Sequence, residues 1–284
     1  MNDIDSGYLK AKIKEAFDED LATVDITTEA LFPEPFVIAA SITAKESGVL
    51  AGGEVVRHVF HYLSDKLTVD PLLPDGTTFT AGTTVISITG DGRKILQGER
   101  IALNFLGYLS GIATLTHAFV KRLNGTKAKI LDTRKTHPGL RPLEKFAVRM
   151  GGGMNHRFGL YDRYLIKDNH LISIQDIGAA IDCCHEHRKK HNTNTLIEVE
   201  VEDLAGVRSA LQHKADIILL DNMPVKEMKE AVEFINGKAK VEASGGVTLE
   251  TVADIAQTGV DYISVGALTH SAKSIDFSME FKKL

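Results

Sequence analysis

Cysteine is scarce in this sequence, which has two among 284 residues, and the two are adjacent, Cys183 and Cys184. Adjacent cysteines cannot join distant segments, so a disulfide-stapled fold is excluded and a reducing, cytoplasmic compartment is expected. The chain also lacks an apolar run of about 18 residues, from which we expect a soluble protein without a membrane span. Residues 1–5 show no basic start followed by an apolar stretch, so no signal peptide is expected.

The composition excludes a disordered or fibrous chain, since hydrophobic residues make up 43% and charged residues 25%. With 284 residues the chain can form one large or two medium domains. Its net charge is −5, but residues 134–167 contain eight Lys or Arg and only two acids. A basic patch within an acidic protein favours a pocket for a small polyanion over a nucleic-acid surface.

The first third of the sequence predicts a helix, then strands, then a second helix. Residues 8–21 alternate apolar and charged side chains at helical spacing, as in an amphipathic surface helix. Residues 36–96 are rich in β-branched residues between PDG and GDG turns, which predicts strands, with the GDG of residues 90–92 in a hairpin. Residues 98–123 predict a long helix on which Gly107, Ser110 and Gly111 allow close packing.

Beyond residue 125, short β-branched runs alternate with amphipathic helical segments. This alternation predicts βαβ units and a parallel sheet. The regularity of the runs favours a barrel-like closure over a doubly wound sheet. The runs are residues 127–132, 163–168, 195–202, 215–221, 239–244 and 261–266.

Chemically useful residues stand at the ends of nearly all these runs. In β/α barrels the functional groups lie at the carboxyl ends of the strands, and the last loops commonly hold a phosphate. Glycines in the last two loops would let backbone N–H groups surround phosphate oxygens. For either loop alone, plain turn formation is the simpler interpretation, and it is their joint position that favours phosphate binding. The two loops are Ser244-Gly245-Gly246 and Val265-Gly266-Ala267.

Basic side chains at or near strand ends are predicted to share one pocket. An Arg fork binds a carboxylate or phosphate through two parallel hydrogen bonds, and Lys supplies a mobile point charge. Together such groups would hold several negative charges at once. The predicted set is Arg134, Lys135, His156, Arg157 and Lys167.

Three consecutive glycines, residues 151–153, precede His156 and Arg157. We expect them to end a helix, to let the backbone approach the ligand and to direct the two side chains inward. Nearby charges that are tied neither to a strand end nor to the glycines are expected to be solvated on the surface. These are Lys145, Arg149 and Arg163.

Two carboxylates, Glu200 and Asp221, are predicted to face this cationic pocket from neighbouring strand ends. Carboxylates in such a position serve a metal, sugar hydroxyls or proton transfer, and Mg²⁺ commonly uses one or two of them with substrate phosphates. Strand alternation puts Glu198 on the same side as Glu200, so the choice between these two stays open.

The long segment TRKTHPGLRPLEKFAVRMGGGMNHRFGLYDRYLIKDNH resembles the signature of the quinolinate phosphoribosyltransferase family. Further segments agree along nearly the whole chain, namely EDLATVDITTEAL, GERIALNFLGYLSGIAT, IEVEVEDL, IILLDN, VEASGGV and ISVGALTHS. The resemblance implies an α/β protein of the type II phosphoribosyltransferase kind, with an N-terminal α/β sandwich domain and an open, incomplete β/α barrel. The implied sandwich domain is residues 1–112, with the tail 272–284 packing back on it, and the barrel is residues 113–271.

The resemblance also implies an activity, that of a nicotinate-nucleotide pyrophosphorylase (carboxylating) in NAD biosynthesis. Quinolinate and phosphoribosyl pyrophosphate would give nicotinate mononucleotide, pyrophosphate and CO₂, with Mg²⁺. The enzyme would be a homodimer or larger homo-oligomer with a shared active site, and it would bind neither nucleic acid nor membrane.

Roles are carried over by matching motif. Arg100 would enter the pocket from the partner subunit. Lys135, Lys167, Glu200 and Asp221 would be catalytic, and the two carboxylates would face the ribose and the metal. The implied substrate-binding set is Arg100, Thr133, Arg134, Lys135, His156, Arg157, Lys167, Glu200, Asp221, Ser244, Gly245, Gly246, Val265, Gly266, Ala267 and His270.

Other functions fit parts of the same pattern. A molybdenum-transport-associated relative would share the architecture, and LIKDNH with GGGMNHR favours the quinolinate enzyme over it. Lys167 at a strand end could serve a Schiff-base aldolase, which borohydride trapping would detect. A non-catalytic sensor would bind the sugar donor without releasing CO₂.

Overall fold

The computed structural model of the protein describes residues 4–174 and 176–283. Residues 1–3 of the expected sandwich domain, residue 175 and residue 284 of the expected tail lie outside this description. The chain forms two compact units, one of residues 1–117, 142–152 and 271–284 and the other of residues 118–141 and 153–270. The expected boundary at 112/113 falls just before 117/118, and residues 142–152 group with the first unit.

The first part of the chain contains helices and short strands. In order they are α1 Ser6–Asp20, α2 Ile26–Leu31, β1 Val37–Ala44, β2 Gly48–Val49, α3 Gly53–Leu63, β3 Thr68–Pro71, β4 Thr78–Phe79, β5 Thr84–Asp91 and α4 Gly92–Arg122. From there on, strands and helices mostly alternate. They are β6 Lys129–Leu131, α5 Arg141–Met150, β7 Tyr164–Ile166, α6 Asp168–Ile174, α7 Ile177–Lys190, β8 Ile197–Val201, α8 Leu204–Gln212, β9 Ile217–Asp221, α9 Val225–Ile235, β10 Lys240–Ser244, α10 Val252–Gln257, β11 Tyr262–Ser264, α11 Ala267–His270 and β12 Phe277–Lys283.

Helix α1 confirms the predicted amphipathic helix. The Asp5 carboxylate caps its first turn by accepting the Tyr8 N–H at 2.7 Å. Leu9, Ile13 and Phe17 recur every four residues and are buried, so they form one apolar face. The helix is therefore held to its unit by this face.

The first unit contains a four-stranded sheet in the order β12-β1-β5-β3. All its neighbouring strands are antiparallel. The C-terminal strand lies along β1, with Phe277 opposite Ala44 and Met279 opposite Ile42. Inward residues of β1 alternate with less buried ones, as expected for a strand with one face on a core.

Two expectations for residues 36–96 are wrong. Helix α3 interrupts the strands, and its buried face includes Val55, Val59 and Phe60, residue types that also favour strands. The GDG segment does not form a hairpin, because Asp91 ends β5 and its carboxylate accepts the Arg93 N–H at 3.0 Å as α4 begins. In both places helical contacts override the local composition.

Helix α4 starts at Gly92, earlier than predicted, and its small residues pack closely against other segments of the first unit. A Cβ on Gly107 would lie 2.6 Å from the carbonyl oxygen of Ile275, and one on Gly111 would lie 2.2 Å from that of Lys273. The Ser110 hydroxyl oxygen accepts the Ala51 N–H at 3.1 Å. The chain after α11 therefore runs against a glycine face of α4.

Among the described residues, α4 is the one helix whose length and apolar composition would allow it to cross a membrane. Within the protein, however, 56% of its apolar stretch is buried. The core helix of a globular unit has the same length and composition, so this signal is weak.

The second unit has a six-stranded parallel sheet, as predicted, in the order β6-β11-β10-β9-β8-β7. β6 and β7 stand at its two ends, so the barrel is open, as the resemblance implied. At the free edge of β6, Met154 forms a parallel bridge with Leu131. Because the strands are parallel, all their carboxyl ends lie at one edge of the sheet.

The glycines after α5 end that helix as predicted, and the first of them, Gly151, packs closely against another helix. A Cβ on Gly151 would lie 2.4 Å from the carbonyl oxygen of Ala113 and 2.6 Å from Thr116 Cβ, both on α4. Gly152 has a φ of +90°, a conformation that favours glycine. The expectation that these glycines bring the backbone to a ligand stays a prediction.

We expect Gly111→Ala to lower the melting temperature, because the added methyl group overlaps the Lys273 carbonyl and the backbone has to move. Overpacking of this kind costs about 1–3 kcal/mol, so Tm measured by circular dichroism should fall by at least about 2 °C. Gly53→Ala is the matched control, since its nearest contact would be 3.5 Å away. Equal Tm values for the two variants would contradict close packing at Gly111.

Candidate active site

The carboxyl ends of the parallel strands surround a cavity of about 570 Å³ in the second unit. Alternate residues along each strand point into the barrel. On β8 these include Glu200, which is opposite Leu219 of β9, and both line the cavity. Asp221, two residues beyond Leu219, lines it as well.

Most of the predicted site residues line this cavity. They are Thr133, Arg134, Lys135, His156, Arg157, Lys167, Glu200, Asp221, Ser244, Gly245, Gly246 and Gly266. Val265 is buried, Ala267 and His270 belong to α11, and a Cβ on Gly266 would lie 3.2 Å from His270 Nε2. Arg100 lines a different cavity of about 290 Å³ in the first unit, with Glu19 and Asp20.

Three cations of the larger cavity have no carboxylate partner. Within residues 4–174 and 176–283, Arg134, Lys135 and Arg157 form no ion pair, whereas other basic residues nearby do. Burial, followed by the nearby charge of Arg134, lowers the pKa of Arg157, which is only 8% exposed. Cations that are held together against their own repulsion form a site for anions.

The loop between α5 and β7 fixes Arg157 through its neighbours. The buried Asp132 carboxylate accepts the His156 N–H at 2.9 Å and the Asn155 Nδ2 group at 2.5 Å. Arg157 Nη1 donates to the Arg163 carbonyl oxygen at 3.3 Å. The guanidinium is thus positioned by the protein before any ligand binds.

The segment of Arg134 and Lys135 is held at the opposite end of the sheet from β7. The Thr269 hydroxyl donates to the Lys135 carbonyl oxygen at 2.7 Å, and the Lys135 N–H donates to Thr133 Oγ1 at 3.0 Å. These contacts fix the backbone and leave the two basic side chains exposed.

The expectation that Lys145, Arg149 and Arg163 are solvated is wrong. Lys145 is 2% exposed on α5, and Arg149 is half-buried with its guanidinium 6.0 Å from the centre of the Phe146 ring. The Arg163 side chain is 17% exposed and donates to Glu198 at 3.0 Å. Lys and Arg side chains are mostly exposed in folded proteins, but here contacts with other parts of the protein bury these three fully or in part.

Hydrogen bonds orient both Glu200 and Asp221 in the lining of the cavity. Lys167 Nζ donates to Glu200 Oε2 at 2.8 Å, and Asn222 Nδ2 donates to Asp221 Oδ2 at 2.7 Å. Glu198 also points into the barrel but lies fully buried below the cavity lining, so Glu200 is the residue of the pair that faces the site.

The two glycine loops have packing reasons for their glycines. Gly245 has a φ of +94°, and a Cβ there would lie 2.1 Å from Asn222 Oδ1. A Cβ on Gly266 would lie 3.0 Å from Lys135 Cδ. At Gly246 a Cβ would have no described atom within 4 Å, so its backbone is open to the cavity.

Five further residues line the cavity and were missed. Four of them follow from strand alternation, because each is two residues before a predicted lining residue. Glu242 precedes Ser244, Ser264 precedes Gly266, Leu165 precedes Lys167 and Leu219 precedes Asp221. The full set is Leu165, Leu219, Asn222, Glu242 and Ser264.

Glu242 in the cavity lining and Glu198 beneath that lining have no solvent exposure. Burial alone would raise the pKa of Glu198, but hydrogen bonds from His156 and Arg163 outweigh it and the pKa is lowered. Burial raises the pKa of Glu242 well above its usual range, and the charge of Glu198 adds to this against the hydrogen bond from Ser264. The two pKa values are therefore shifted in opposite directions, so Glu242 takes up a proton before Glu198 does.

Family models and relatives agree on one family. The model described as quinolinate phosphoribosyl transferase, C-terminal domain, matches residues 112–280, and its N-terminal counterpart matches residues 25–110. The chain is 41% identical over 272 residues to the probable nicotinate-nucleotide pyrophosphorylase (carboxylating) of Bacillus subtilis strain 168, covering 96% of this chain and 93% of that protein. It is 40% identical over 286 residues to the nicotinate-nucleotide pyrophosphorylase (carboxylating) of Mycobacterium leprae, covering 99% of each.

A solved structure leads to the same family. The crystal structure of NadC from Streptococcus pyogenes has a TM-score of 0.94 and 40% identity, and the match covers 99% of both chains. Fold, site and sequence similarity extend over nearly the whole length. The chain belongs to the quinolinate phosphoribosyltransferase family.

Proposed function

We propose that this chain transfers the phosphoribosyl group of phosphoribosyl pyrophosphate to quinolinate, with release of pyrophosphate and CO₂ and formation of nicotinate mononucleotide for NAD biosynthesis. The names of the relatives give the reaction class. The observation that carries the proposal is the group of three unpaired cations, Arg134, Lys135 and Arg157, in one cavity of about 570 Å³.

The charges of the substrates match those of the cavity. Quinolinate brings two carboxylates, and the sugar donor brings a phosphate and a pyrophosphate. Arg134 and Arg157 offer planar forks for a carboxylate, and Lys135 and Lys167 offer point charges for phosphate oxygens. The open backbone of Gly246 suits the 5′-phosphate.

The reaction then proceeds by positioning and electrostatics. The bond from ribose C1 to the pyrophosphate oxygen breaks and its electron pair leaves with pyrophosphate, while the pyridine nitrogen forms the new bond with its lone pair. Fixed cations stabilise the leaving anion, and Glu200 and Asp221 would face the positive character of the ribose. The bond to the adjacent carboxylate breaks next, CO₂ leaves, and a proton replaces it on the ring carbon.

Mg²⁺ is the proposed metal, held by Glu200 and Asp221 directly or through substrate and water. Two carboxylates lining the same cavity are a donor set that Mg²⁺ uses with substrate phosphates. When bound, the ion would neutralise charge on the pyrophosphate. Lys167 and Asn222 orient the two carboxylates through their hydrogen bonds.

We further propose a cytoplasmic homodimer or larger homo-oligomer with a shared site. Arg100 is exposed and lines a cavity of the first unit, which leaves its side chain accessible to a second subunit. The free thiols of Cys183 and Cys184 suit a reducing compartment. The aldolase alternative is disfavoured, because Lys167 Nζ is engaged in a hydrogen bond to Glu200 Oε2 at 2.8 Å.

Release of labelled CO₂ from carboxyl-labelled quinolinate tests the reaction directly. We expect release only when the sugar donor is present, because the ring nitrogen has to become cationic before the carboxylate leaves. Binding of the donor without CO₂ release would favour a sensor, and release without the donor would also contradict the proposed order.

Arg134→Ala and Arg157→Ala should each lower kcat/KM for quinolinate by at least about 100-fold, because each removes an anion ligand. The fold should survive, so the far-UV circular dichroism spectrum should not change. Arg208→Ala is the matched control, since Arg208 is exposed on α8, and it should retain full activity. Near-normal kinetics of the two cavity variants would refute the site.

Mixing Arg100→Ala with Lys167→Ala subunits should restore part of the activity that each variant lacks. In a shared site, one hybrid active site would combine an intact Arg100 with an intact Lys167. The measurement is steady-state activity after joint refolding, compared with each variant refolded alone. Failure to complement, with hybrids demonstrated by native mass spectrometry, would contradict a shared site.

A further inference from the structure

In and beneath the cavity lining, three strands and the loop between α5 and β7 bring charged and polar side chains into one cluster. The Glu198 and Glu242 side chains have no solvent exposure, and that of His156 has 6%. Buried charges are tolerated only when they are paired, so the proton positions in this cluster are constrained. Its members are His156, Arg163, Glu198, Glu242 and Ser264.

Both ring nitrogens of His156 are in contact with protein groups. Nδ1 accepts the backbone N–H of Arg157 at 2.7 Å. Nε2 lies 3.2 Å from a Glu198 oxygen and 3.5 Å from a Glu242 oxygen. A nitrogen that accepts a hydrogen bond carries no proton, so the ring proton sits on Nε2 and points to the carboxyl groups.

A protonated imidazole would not fit this arrangement. Both of its nitrogens carry a hydrogen, and at Nδ1 that hydrogen would meet the Arg157 N–H. Other charged groups around the ring come from each neighbouring element. They are Asp132, which accepts the His156 backbone N–H, Arg157 on the same loop, Arg163, Glu198 on β8 and Glu242 on β10.

A metal ion is also disfavoured at this position. Among the described residues, His156, Glu198 and Glu242 form the one group of three side chains whose ligand atoms lie within 4.8 Å of one another. A histidine that binds a metal through Nε2 keeps its proton on Nδ1, which would again oppose the Arg157 N–H. Arg163 Nη1, at 3.0 Å from Glu198 and 3.4 Å from His156 Nε2, places a fixed positive charge there.

Glu242 completes the cluster as a hydrogen-bond donor. One of its oxygens accepts the Ser264 hydroxyl, and the other has no partner among the described groups if Glu242 is ionised. A protonated Glu242 satisfies that oxygen by donating to Glu198, which also accepts a hydrogen bond from Arg163 Nη1 at 3.0 Å. Each polar group then has a partner without a second buried charge.

We propose that His156 is a neutral positioning residue, locked as the Nε2–H tautomer between the Arg157 amide and the Glu198–Glu242 pair, and that it holds Arg157 against the repulsion of Arg134. This rests on the proposed function, in which Arg157 binds an anion of the substrate. His156 then supplies no positive charge to quinolinate, in contrast to the role implied by its place among the predicted cations.

Nuclear magnetic resonance of the unliganded wild-type protein with isotope-labelled histidine tests the tautomer without any turnover. We expect the His156 signals, assigned by their loss in His156→Asn, to show a protonated Nε2 and an unprotonated Nδ1 at about pH 7.5. A proton on Nδ1 at this pH, alone or together with one on Nε2, would overturn the proposal. Absence of CO₂ release would defeat the proposed function and leave this result standing.

Two substitutions separate positioning from charge. The Asn side-chain oxygen of His156→Asn replaces Nδ1 as acceptor for the Arg157 N–H, whereas His156→Leu removes the acceptor. We expect both variants to raise KM for quinolinate, and the Leu variant to raise it at least about threefold more than the Asn variant does. Equal losses in both variants, or a wild-type pH profile of kcat/KM whose ionisation disappears in His156→Asn, would show that His156 acts as a cation.

The thermal stability of Glu242→Gln tests whether the Glu242 side chain is protonated. An acid whose pKa is raised on folding loses its stabilising contribution as the pH rises above its ordinary value of 4.5. Gln mimics the protonated acid and does not titrate, so the variant should match the wild type at about pH 5 and exceed its Tm at about pH 8. A variant that is less stable than the wild type, and more so at the higher pH, would mean an ionised Glu242 and overturn the cluster's assignment.

Discussion

Repulsion between the guanidinium groups of Arg134 and Arg157 is the constraint around which the second unit is organised. Free side chains with like charges would separate into solvent, and no carboxylate among the described residues forms an ion pair with either of them. The backbone near each is therefore held by other groups, through Thr269 near Arg134 and through Asp132 and His156 near Arg157. The fold holds the two positive charges in one cavity, and a bound anion would relieve their repulsion.

The parallel sheet makes this arrangement possible. Every strand delivers its last inward residue to the same edge, so residues far apart in sequence meet at one cavity. The same alternation also places Glu200 in the cavity lining and Glu198, two residues earlier on the strand, in the buried interior beneath it. A residue of the cavity lining and a residue of the buried cluster therefore lie two positions apart on the same strand, β8.

The sequence predicted the cavity residues at the strand ends but not the contacts between elements that are distant in sequence. Strand ends were recognisable because short β-branched runs alternate with helices, and the motif around Arg157 placed it beside the site. The buried Lys145 and Arg163 were not recognisable, because their surroundings come from elements distant in sequence. Gly151 shows the same limit, since its contact is the Ala113 carbonyl on another helix and no local pattern reveals it. Helix α3 was missed because its valines and aromatic residues have strand composition.

The pairing of β12 with β1 affects the order in which the first unit folds during translation. It completes the first sheet by pairing with β1, although more than two hundred residues separate the two in sequence. While the ribosome is still translating the barrel, the edge of β1 and the glycine face of α4 stay uncovered. Folding of the first unit therefore finishes only after β12 has been translated, and until then the unpaired edge of β1 is prone to aggregation.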